Sequence, residues 1–400
     1  MARPHYHAIV RIERMTRTPV YLDHQASTPL DPRVKSAMER HEHLYGNPHT
    51  TSHLAGIEAA RVVDTARRAV TRSIGGDARQ LIFTSGATEA NNLALLGIAR
   101  AAKTRRKVLV VASEHSSVLE PALALVHEGF DVQVLPVDSD GIVDLRAIEC
   151  AVDEQTLLVS AMHANNETGV LQPITEIAQI CHRYGAFLHS DCAQSLGRLP
   201  LRVGALGVDL LTLSAHKCYG PKGIGALYIN NRRNIPIKPL YHGGGQQAGL
   251  RPGTLPVPLC VGFGEACVVA DSDIDADATR MQRLGADLLE SILETCPGAR
   301  LNGSRTQRVP GAFNVCFPGA VGDELLTAFE GIHVSSGSAC ESDRVNPSKV
   351  LLAYGLSPSE ADASLRFCVG RFTEDADIEI AKRVVALGVR RLGLSNRTAA

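Results

Sequence analysis

The sequence predicts an α/β protein in which a mostly parallel central sheet carries helices on both faces, followed by a smaller α+β domain. Between residues 80 and 230, short aliphatic and β-branched runs alternate with stretches of helical periodicity. This alternation is typical of parallel strands joined by crossover helices. From about residue 275 the pattern changes to one long helix, shorter strands and a closing helix. A length of 400 residues also favours more than one domain.

Seven runs of the first region are predicted as strands of the central sheet. They are LIFTS (81–85), KVLVVA (107–112), DVQVLPV (131–137), TLLVSAM (156–162), AFLHSD (186–191), LLTLSA (210–215) and GALYIN (225–230). Helical patterns lie between them, for example ITEIAQICHRYG (174–185). In the second region we expect a helix, three strands and a last helix, at about 276–296, 311–317, 332–336, 365–370 and 375–393.

These patterns divide the chain into three parts. We expect residues 1–20 to be a flexible extension and residues 21–274 to form a large domain, whose first residues join the small domain. Residues 275–400 would form the small domain. The Gly- and Pro-rich stretch HGGGQQAGLRPGTLP (242–256) is too long for a simple turn and is a linker or a functional loop.

Composition narrows the class of protein. The formal net charge is −1, so nothing favours direct contact with nucleic acid or a membrane surface. No apolar run approaches the ~20 residues that span a bilayer, and the first 19 residues do not resemble a secretory signal. The ten cysteines are scattered without a CxxC pair, which favours a reducing cytoplasm over disulfides or a metal site.

Sheets of this kind bind ligands at the carboxyl ends of their strands, so the residues after each strand are candidates for a site. After the first strand, Gly86 permits a tight turn into a helix, whose first N–H groups and the Thr88 hydroxyl would bind an anion. His115 follows the second strand, and Asn165 and Asn166 follow the fourth. Each has an ordinary alternative as a helix start, a turn residue or a packed histidine.

Two further strand ends carry stronger signals. Asp191 closes an apolar strand and is followed by Gln194; a buried aspartate needs a cationic partner, unless it only caps a helix. Lys217 follows Ser214 and His216 after the next strand, where a lysine amine can form an imine.

Lys222 is the competing lysine, but its Pro-Lys-Gly turn predicts a solvated side chain. An anion-binding helix start, an acid for a ring nitrogen, a lysine amine and a histidine for a ring face together indicate a pyridoxal phosphate site.

Cys340 lies in HVSSGSACESD (333–343), among small residues that do not fix a side chain in a core. This context predicts a thiol on a mobile loop over about 335–347. The ordinary alternative is a loop cysteine without a role.

Ten motifs closely resemble those of the cysteine desulfurases of the IscS/NifS type. They are YLDHQASTPLDPRV (21–34), GNPHTTSHLAG (46–56), FTSGATEANN, SEHSSV, MHANNETGV, SDCAQSLGRLP, SAHKCYGPKGIGALYI, GTLP, VSSGSACES and LRFCVGRFT. The resemblance runs in order from about residue 20 to 390. It implies the fold-type I architecture of pyridoxal phosphate enzymes and a homodimer.

The resemblance also implies roles around the cofactor ring. Lys217 would hold the cofactor covalently, and Asp191 would pair with the ring nitrogen. His115 would stack on the ring and assist proton transfer, while Asn166 and Gln194 would bond the ring's 3-oxygen.

Further roles concern the phosphate, the substrate and the sulfur. The residues implied for the phosphate are Ala87, Thr88, Ser214 and His216, with Thr254 reaching in from the partner subunit. Arg366, with Asn166, would bind the substrate carboxylate, since its planar fork suits two parallel hydrogen bonds. Cys340 would attack the sulfur of L-cysteine, giving L-alanine and a persulfide, a reversible cap on a thiol.

Several points stay open at this stage. A protein acceptor such as a scaffold or a thio-modification enzyme would take the sulfur, for iron–sulfur assembly, nitrogenase maturation, tRNA or DNA thio-modification, or cofactor synthesis. The alternatives are a selenocysteine lyase, another fold-type I lyase or aminotransferase, or a non-catalytic sulfur carrier. His24 and Gln25 stand where the family usually has smaller or amide residues, in a segment that the resemblance places at the border of the substrate pocket.

Overall fold

The computed structural model describes residues 19–336 and 347–395. Its strands are β1 (Val20–Tyr21), β2 (Leu81–Thr84), β3 (Lys107–Val111), β4 (Asp131–Leu135), β5 (Thr156–Ser160), β6 (Phe187–Asp191), β7 (Leu210–Ser214), β8 (Gly225–Ile229), β9 (Arg300–Leu301), β10 (Ala312–Cys316), β11 (Ile332–His333), β12 (Ser335–Ser336) and β13 (Ser364–Cys368). Its helices are α1 (Pro32–Arg40), α2 (Leu54–Ser73), α3 (Ala87–Ala101), α4 (Ser116–Ala124), α5 (Leu145–Ala151), α6 (Ile174–Arg183), α7 (Val203–Leu206), α8 (Val257–Thr295), α9 (Gly322–Ala328), α10 (Lys349–Ala353), α11 (Pro358–Asp362) and α12 (Asp375–Arg391).

The central sheet has seven strands in the order β2-β8-β7-β6-β5-β3-β4. Strand β8 is antiparallel to both of its neighbours, and the other pairs are parallel. The predicted α/β class with a mostly parallel sheet is therefore confirmed. Each of the seven predicted strands is present, one or two residues shorter than expected. Strands β5, β7 and β8 are buried at every position because helices cover both faces.

Helix α6 illustrates how the covering helices form. Its buried residues, Ile174, Ile177, Ala178, Ile180 and Cys181, recur at helical spacing on one side. Arg183 and His182 end the helix in its last turn, where cations interact favourably with the carbonyl end. The same spacing in the sequence therefore located this helix to within two residues.

Helix α8 runs from one hydrophobic core into the other. Its first half contributes Phe263 and Cys267 to the core beneath the central sheet, and its second half contributes Met281 and Leu288 to the core of the small sheet. The prediction that this helix starts near residue 276 was wrong, because it begins at Val257. The acidic run DSDIDAD (271–277) interrupts the apolar spacing where the helix crosses between the cores.

The small sheet has the antiparallel order β12-β13-β10-β9. Residues 332–336, predicted as one strand, form two: β11 pairs in parallel with β1, whereas β12 pairs with β13. Val20 and Leu22, from the start of the described chain, lie in the core of this sheet. No helix in the described ranges is long and apolar enough to span a bilayer.

Candidate active site

A cavity of about 640 Å³ lies at the carboxyl ends of the parallel strands, where the small sheet meets the central one. Ten of the residues proposed from the sequence line it: Ala87, Thr88, His115, Asn166, Asp191, Gln194, Ser214, His216, Lys217 and Arg366. Thr254 does not line this cavity and is exposed. Cys340 lies outside the described residues.

Asp191 is held in a fixed orientation at the end of β6. Its Oδ1 accepts a hydrogen bond from the Ala193 N–H at 2.9 Å, and its Oδ2 accepts one from Asn91 Nδ2 at 2.7 Å. Asn91 also donates to Ser117 Oγ at 2.8 Å, which in turn contacts His115 Nδ1 at 2.8 Å. A chain of hydrogen bonds therefore joins the proposed ring-stacking histidine to the proposed partner of the ring nitrogen.

The contacts of His115 define its tautomer. The backbone N–H of Ser117 can only donate, and it lies 3.1 Å from His115 Nδ1. Nδ1 is therefore the acceptor, and the proton of the neutral ring is on Nε2. This N-cap contact also begins α4, so one side chain both starts the helix and lines the cavity.

A buried acid, Glu114, and a buried histidine, His189, lie near Asp191. Burial, and then the charge of Asp191, raise the pKa of Glu114 well above its ordinary value, which favours the protonated form that adds no second negative charge. Ser160 Oγ bridges Glu114 Oε1 at 3.1 Å and His189 Nδ1 at 2.9 Å. Burial lowers the pKa of His189 to about 4, so this histidine is neutral.

The end of the cavity at β2 and α3 has the features of an anion site. Gly86 is the N-cap of α3, so the first N–H groups of the helix have no helical acceptor. A Cβ at Gly225 of β8 would lie 2.8 Å from the Cα of Gly86, so glycine is required at 225 for this loop to lie against the sheet. Burial, and then the charges of Lys217 and Lys222, lower the pKa of His216 to about 4, so His216 is neutral there.

Lys217 lies in a single 3₁₀ turn directly after β7. Its Nζ donates to the backbone carbonyls of Gln25 and Ala26, the latter at 3.0 Å. Gln25 also lines the cavity, and its carbonyl accepts from Gln194 Nε2 at 2.9 Å. Sequence reasoning missed this carbonyl contact, which a side-chain pattern does not reveal. Lys222 lines the same cavity with an exposed side chain.

Arg366 is fully buried in β13 and faces the cavity. Its Nε and Nη2 donate to Oδ1 of Asp23 at 3.0 and 2.6 Å, and its Nη1 donates to the Asn166 carbonyl at 3.0 Å. Asp23 was not among the candidates, because nothing local in the sequence connects residues 343 positions apart. A buried arginine needs a counter-charge, and this general rule predicts an acidic partner for Arg366 without identifying it.

The residues that line the cavity fit pyridoxal phosphate. Four buried polar atoms of the lining have no hydrogen-bond partner among the described residues: Gln25 Oε1, Asn166 Oδ1, Gln194 Oε1 and Ser214 Oγ. Each such atom costs roughly 1–3 kcal/mol unless a ligand provides a partner, so a polar ligand is favoured. The described residues contain no cluster of three or more His, Cys, Asp or Glu side chains suited to a metal.

Of His24 and Gln25, only Gln25 borders the cavity. Gln25 lines it, and its Nε2 donates to the Asn165 carbonyl at 3.0 Å. His24 is buried behind it and is not part of the lining; burial, and then the charge of Arg198, lower its pKa to about 3.

Comparisons with known proteins agree with the fold and the cavity. The family model described as aminotransferase class-V matches residues 20–380. A cysteine desulfurase of Mus musculus is 44% identical over 94% of this chain and 82% of its own length. Cysteine desulfurase IscS of Rickettsia africae (strain ESF-5) is 43% identical over 94% of this chain and 92% of its own. A solved NifS-like protein superposes with a TM-score of 0.86 at 34% identity, covering 92% of this chain and 98% of that one.

The fold and the family match define a pyridoxal phosphate-dependent enzyme of aminotransferase class V. Within that class, the chain belongs to the cysteine desulfurases. The predicted family, fold type, reaction class and cofactor are thereby confirmed.

Proposed function

We propose that Cys340 receives the sulfur of L-cysteine as a persulfide, with the cavity residues acting in the roles assigned above, and that a protein acceptor then takes the sulfur. The observation that carries the proposal is that the Lys217 amine, the Asp191 carboxylate and the Arg366 guanidinium line one cavity. An enzyme that uses this cofactor on an amino acid requires three groups. They are an amine to bind the carbonyl of the cofactor, an acid to pair with its ring nitrogen, and a guanidinium to bind the carboxylate of the substrate.

When bound, pyridoxal phosphate supplies an electron sink beside the α-carbon of the substrate. Asp191, oriented by Asn91, would hold a proton on the ring nitrogen. Lys217 Nζ would move the proton from the α-carbon, since it is the amine at the end of β7. Arg366 would hold the substrate carboxylate and so orient the substrate.

The sulfur step is balanced without an external oxidant. The Cys340 thiolate attacks the sulfur of the substrate, an S–S bond forms, and the C–S bond breaks with its electron pair going to carbon. The carbon that held the sulfur then takes one proton, and the α-carbon regains the proton that Lys217 moved, which completes L-alanine. The motif VSSGSACES, which resembles the family's nucleophile loop, supports Cys340 in this role.

Two finer points belong to the same proposal. Thr254 would act in the cavity of a second copy of the chain, since it is exposed and lies away from its own cavity. Tyr45 and Leu54, which are 91% and 83% exposed, are large apolar side chains that a homodimer would cover. A monomer with full activity at assay concentration, measured by light scattering, would contradict this assembly.

We also propose that the protein works in the cytoplasm. The nine cysteines of the described residues are all unpaired thiols, which supports a reducing compartment. The acceptor would use the sulfur for iron–sulfur assembly or for thio-modification, and pull-down of persulfide-loaded protein against purified acceptors of each kind distinguishes the two.

The test of the reaction is the intact mass of the holoenzyme after brief exposure to L-cysteine without reductant, with peptide mapping and alanine measured in the same tube. We expect one added sulfur on Cys340 and release of L-alanine. Cys340→Ser should keep the cofactor but gain no sulfur, whereas Cys150→Ser, at an exposed cysteine, should behave like the parent protein. Sulfur on another cysteine in Cys340→Ser would mean that Cys340 is not the nucleophile.

A further inference from the structure

Asp23 connects the substrate arginine to the edge of the small sheet. One of its carboxylate oxygens, Oδ1, accepts both the Nε and the Nη2 donors of Arg366. The other oxygen, Oδ2, accepts a hydrogen bond from Ser335 Oγ. The two oxygens of Asp23 therefore contact neighbouring strands, because Ser335 of β12 lies directly opposite Arg366 of β13.

The backbone around Asp23 is attached to the same sheet. The N–H of Cys368 donates to the Leu22 carbonyl at 2.7 Å, and Asp23 bridges Cys368 in a parallel arrangement. The Leu22 N–H donates to the His333 carbonyl at 2.9 Å. Asp23 is therefore fixed between two strands, and its carboxylate is only 11% exposed.

We propose, on the basis of the function proposed above, that Asp23 is a positioning residue that orients Arg366 toward the carboxylate of the substrate. Asp23 takes the Nε side of the guanidinium and the Asn166 carbonyl takes a donor of Nη1. The plane of the guanidinium is set by these contacts before substrate arrives, which lowers the ordering cost of binding.

The hydrogen bonds by which Asp23 orients Arg366 and the negative charge of Asp23 have opposite effects on binding of the substrate carboxylate. The negative charge of Asp23 repels a second carboxylate, so its contribution to substrate binding must come from the geometry of its acceptor oxygen. Asp23→Ala removes the acceptor and the charge. Asp23→Asn keeps one acceptor oxygen for Arg366 and removes the charge, and its NH2 group, in place of Oδ2, can donate to the Ser335 hydroxyl. The two variants therefore separate the two effects.

The experiment measures binding of L-alanine and of ethylamine to the holoenzyme by the change in the visible absorbance of the cofactor. Ethylamine is L-alanine without its carboxylate. The measurement is made in a Cys340→Ser background, so its result does not depend on persulfide formation and remains valid if the sulfur goes elsewhere.

We expect Asp23→Ala to weaken L-alanine binding on the order of tenfold, the loss typical of charge-assisted hydrogen bonds, and to leave ethylamine binding within about twofold. Asp23→Asn should bind L-alanine at least as tightly as the parent protein. With Cys340 present, Asp23→Ala should raise KM for L-cysteine more than it lowers kcat, because the arginine binds the carboxylate throughout the reaction.

Ser335→Ala keeps the ion pair between Asp23 and Arg366, and it tests the proposal if Asp23→Ala does not fold. It should weaken L-alanine binding by roughly threefold, the effect of one neutral hydrogen bond, and leave ethylamine unchanged. The proposal is overturned if Asp23→Asn is as weak as Asp23→Ala, if both ligands weaken equally, or if neither alanine variant changes L-alanine binding.

Discussion

Arg371 joins three parts of the fold near Lys217, the lysine proposed to hold the cofactor, and its replacement by methionine provides the sharpest test of the structure. Its Nε lies 2.7 Å from Asp277 of α8 and its Nη1 lies 2.9 Å from Asp31, the N-cap of α1. Its guanidinium also packs on the ring of Tyr219, 4.5 Å from the centroid. Arg371→Met removes these contacts with little change in volume.

The free energy of unfolding lost in Arg371→Met follows from the burial of the ion pairs that it breaks. The three charged side chains are at most 8% exposed, and breaking such a buried pair costs about 3–5 kcal/mol. Arg33 still pairs with Asp31 and Arg280 with Asp277, so the lower end, about 3 kcal/mol, applies. At about 2.1 cal/mol/K per residue for a cooperative unit of this size, that loss lowers Tm by about 4 °C.

Arg371 also affects the site. Tyr219, two residues after Lys217, has a left-handed φ of 63°, a conformation that costs a non-glycine residue about 1–2 kcal/mol. Its hydroxyl accepts the Arg371 N–H, and its N–H donates to Thr28 Oγ1 at 2.8 Å. Removing the guanidinium from this ring should therefore loosen the turn that carries Lys217 and speed release of the cofactor.

The assay is thermal unfolding of the holoenzyme together with the rate of cofactor release, followed by absorbance. The matched control is Arg283→Met, because Arg283 also pairs with an aspartate, Asp375, at 2.6 Å but with both side chains more than half exposed. A surface pair screened by solvent contributes little to stability, so the control should change Tm by about 1 °C at most. Equal shifts in the two variants would refute the argument from burial, and unchanged cofactor release would refute the link to Lys217.

Two further predictions concern the cavity. Lys217→Ala should abolish the visible absorbance of the covalently held cofactor, whereas Lys222→Ala, at the exposed lysine of the same cavity, should retain it; the reverse result would reassign the anchor. Glu114→Gln should stabilise the protein relative to the parent as pH rises, because the raised pKa of Glu114 gives the folded state a proton that the unfolded state releases above its ordinary pKa of about 4.3. The difference in Tm between parent and Glu114→Gln should grow from pH 5 to pH 8, and a constant difference would contradict a protonated Glu114.

The sequence was most informative where the chemistry is local to a strand and its end. Ten candidates taken from strand ends and family motifs line one cavity, because parallel strands bring their carboxyl ends to one edge of a sheet. The start of α8 was misplaced because an acidic run masks its apolar spacing where the helix crosses between two cores. Periodicity reports which side of a helix is buried, and that side changes along α8.

Asp23 could not be inferred locally because its partner lies at the far end of the chain. The pairing depends on β1 joining β11 and on residues 22–24 lying along β13. Such contacts are set by tertiary packing, and neither the secondary-structure propensity nor the spacing of residues predicts them.

The first described segment also explains how the side chains at positions 24 and 25 can vary without disturbing Lys217, the proposed anchor. Lys217 Nζ contacts the main-chain carbonyls of Gln25 and Ala26, and Gln194 donates to that of Gln25. These acceptors persist whatever side chain stands at the two positions, provided that the backbone keeps its course. That course is fixed on one side by the main-chain pairing of residues 22 and 23 with Cys368 and on the other by Thr28, whose Oγ1 donates to the His216 carbonyl at 2.9 Å. Substitution at 24 or 25 should therefore change the pocket wall, whereas substitution at 28 should move the carbonyls that receive the lysine.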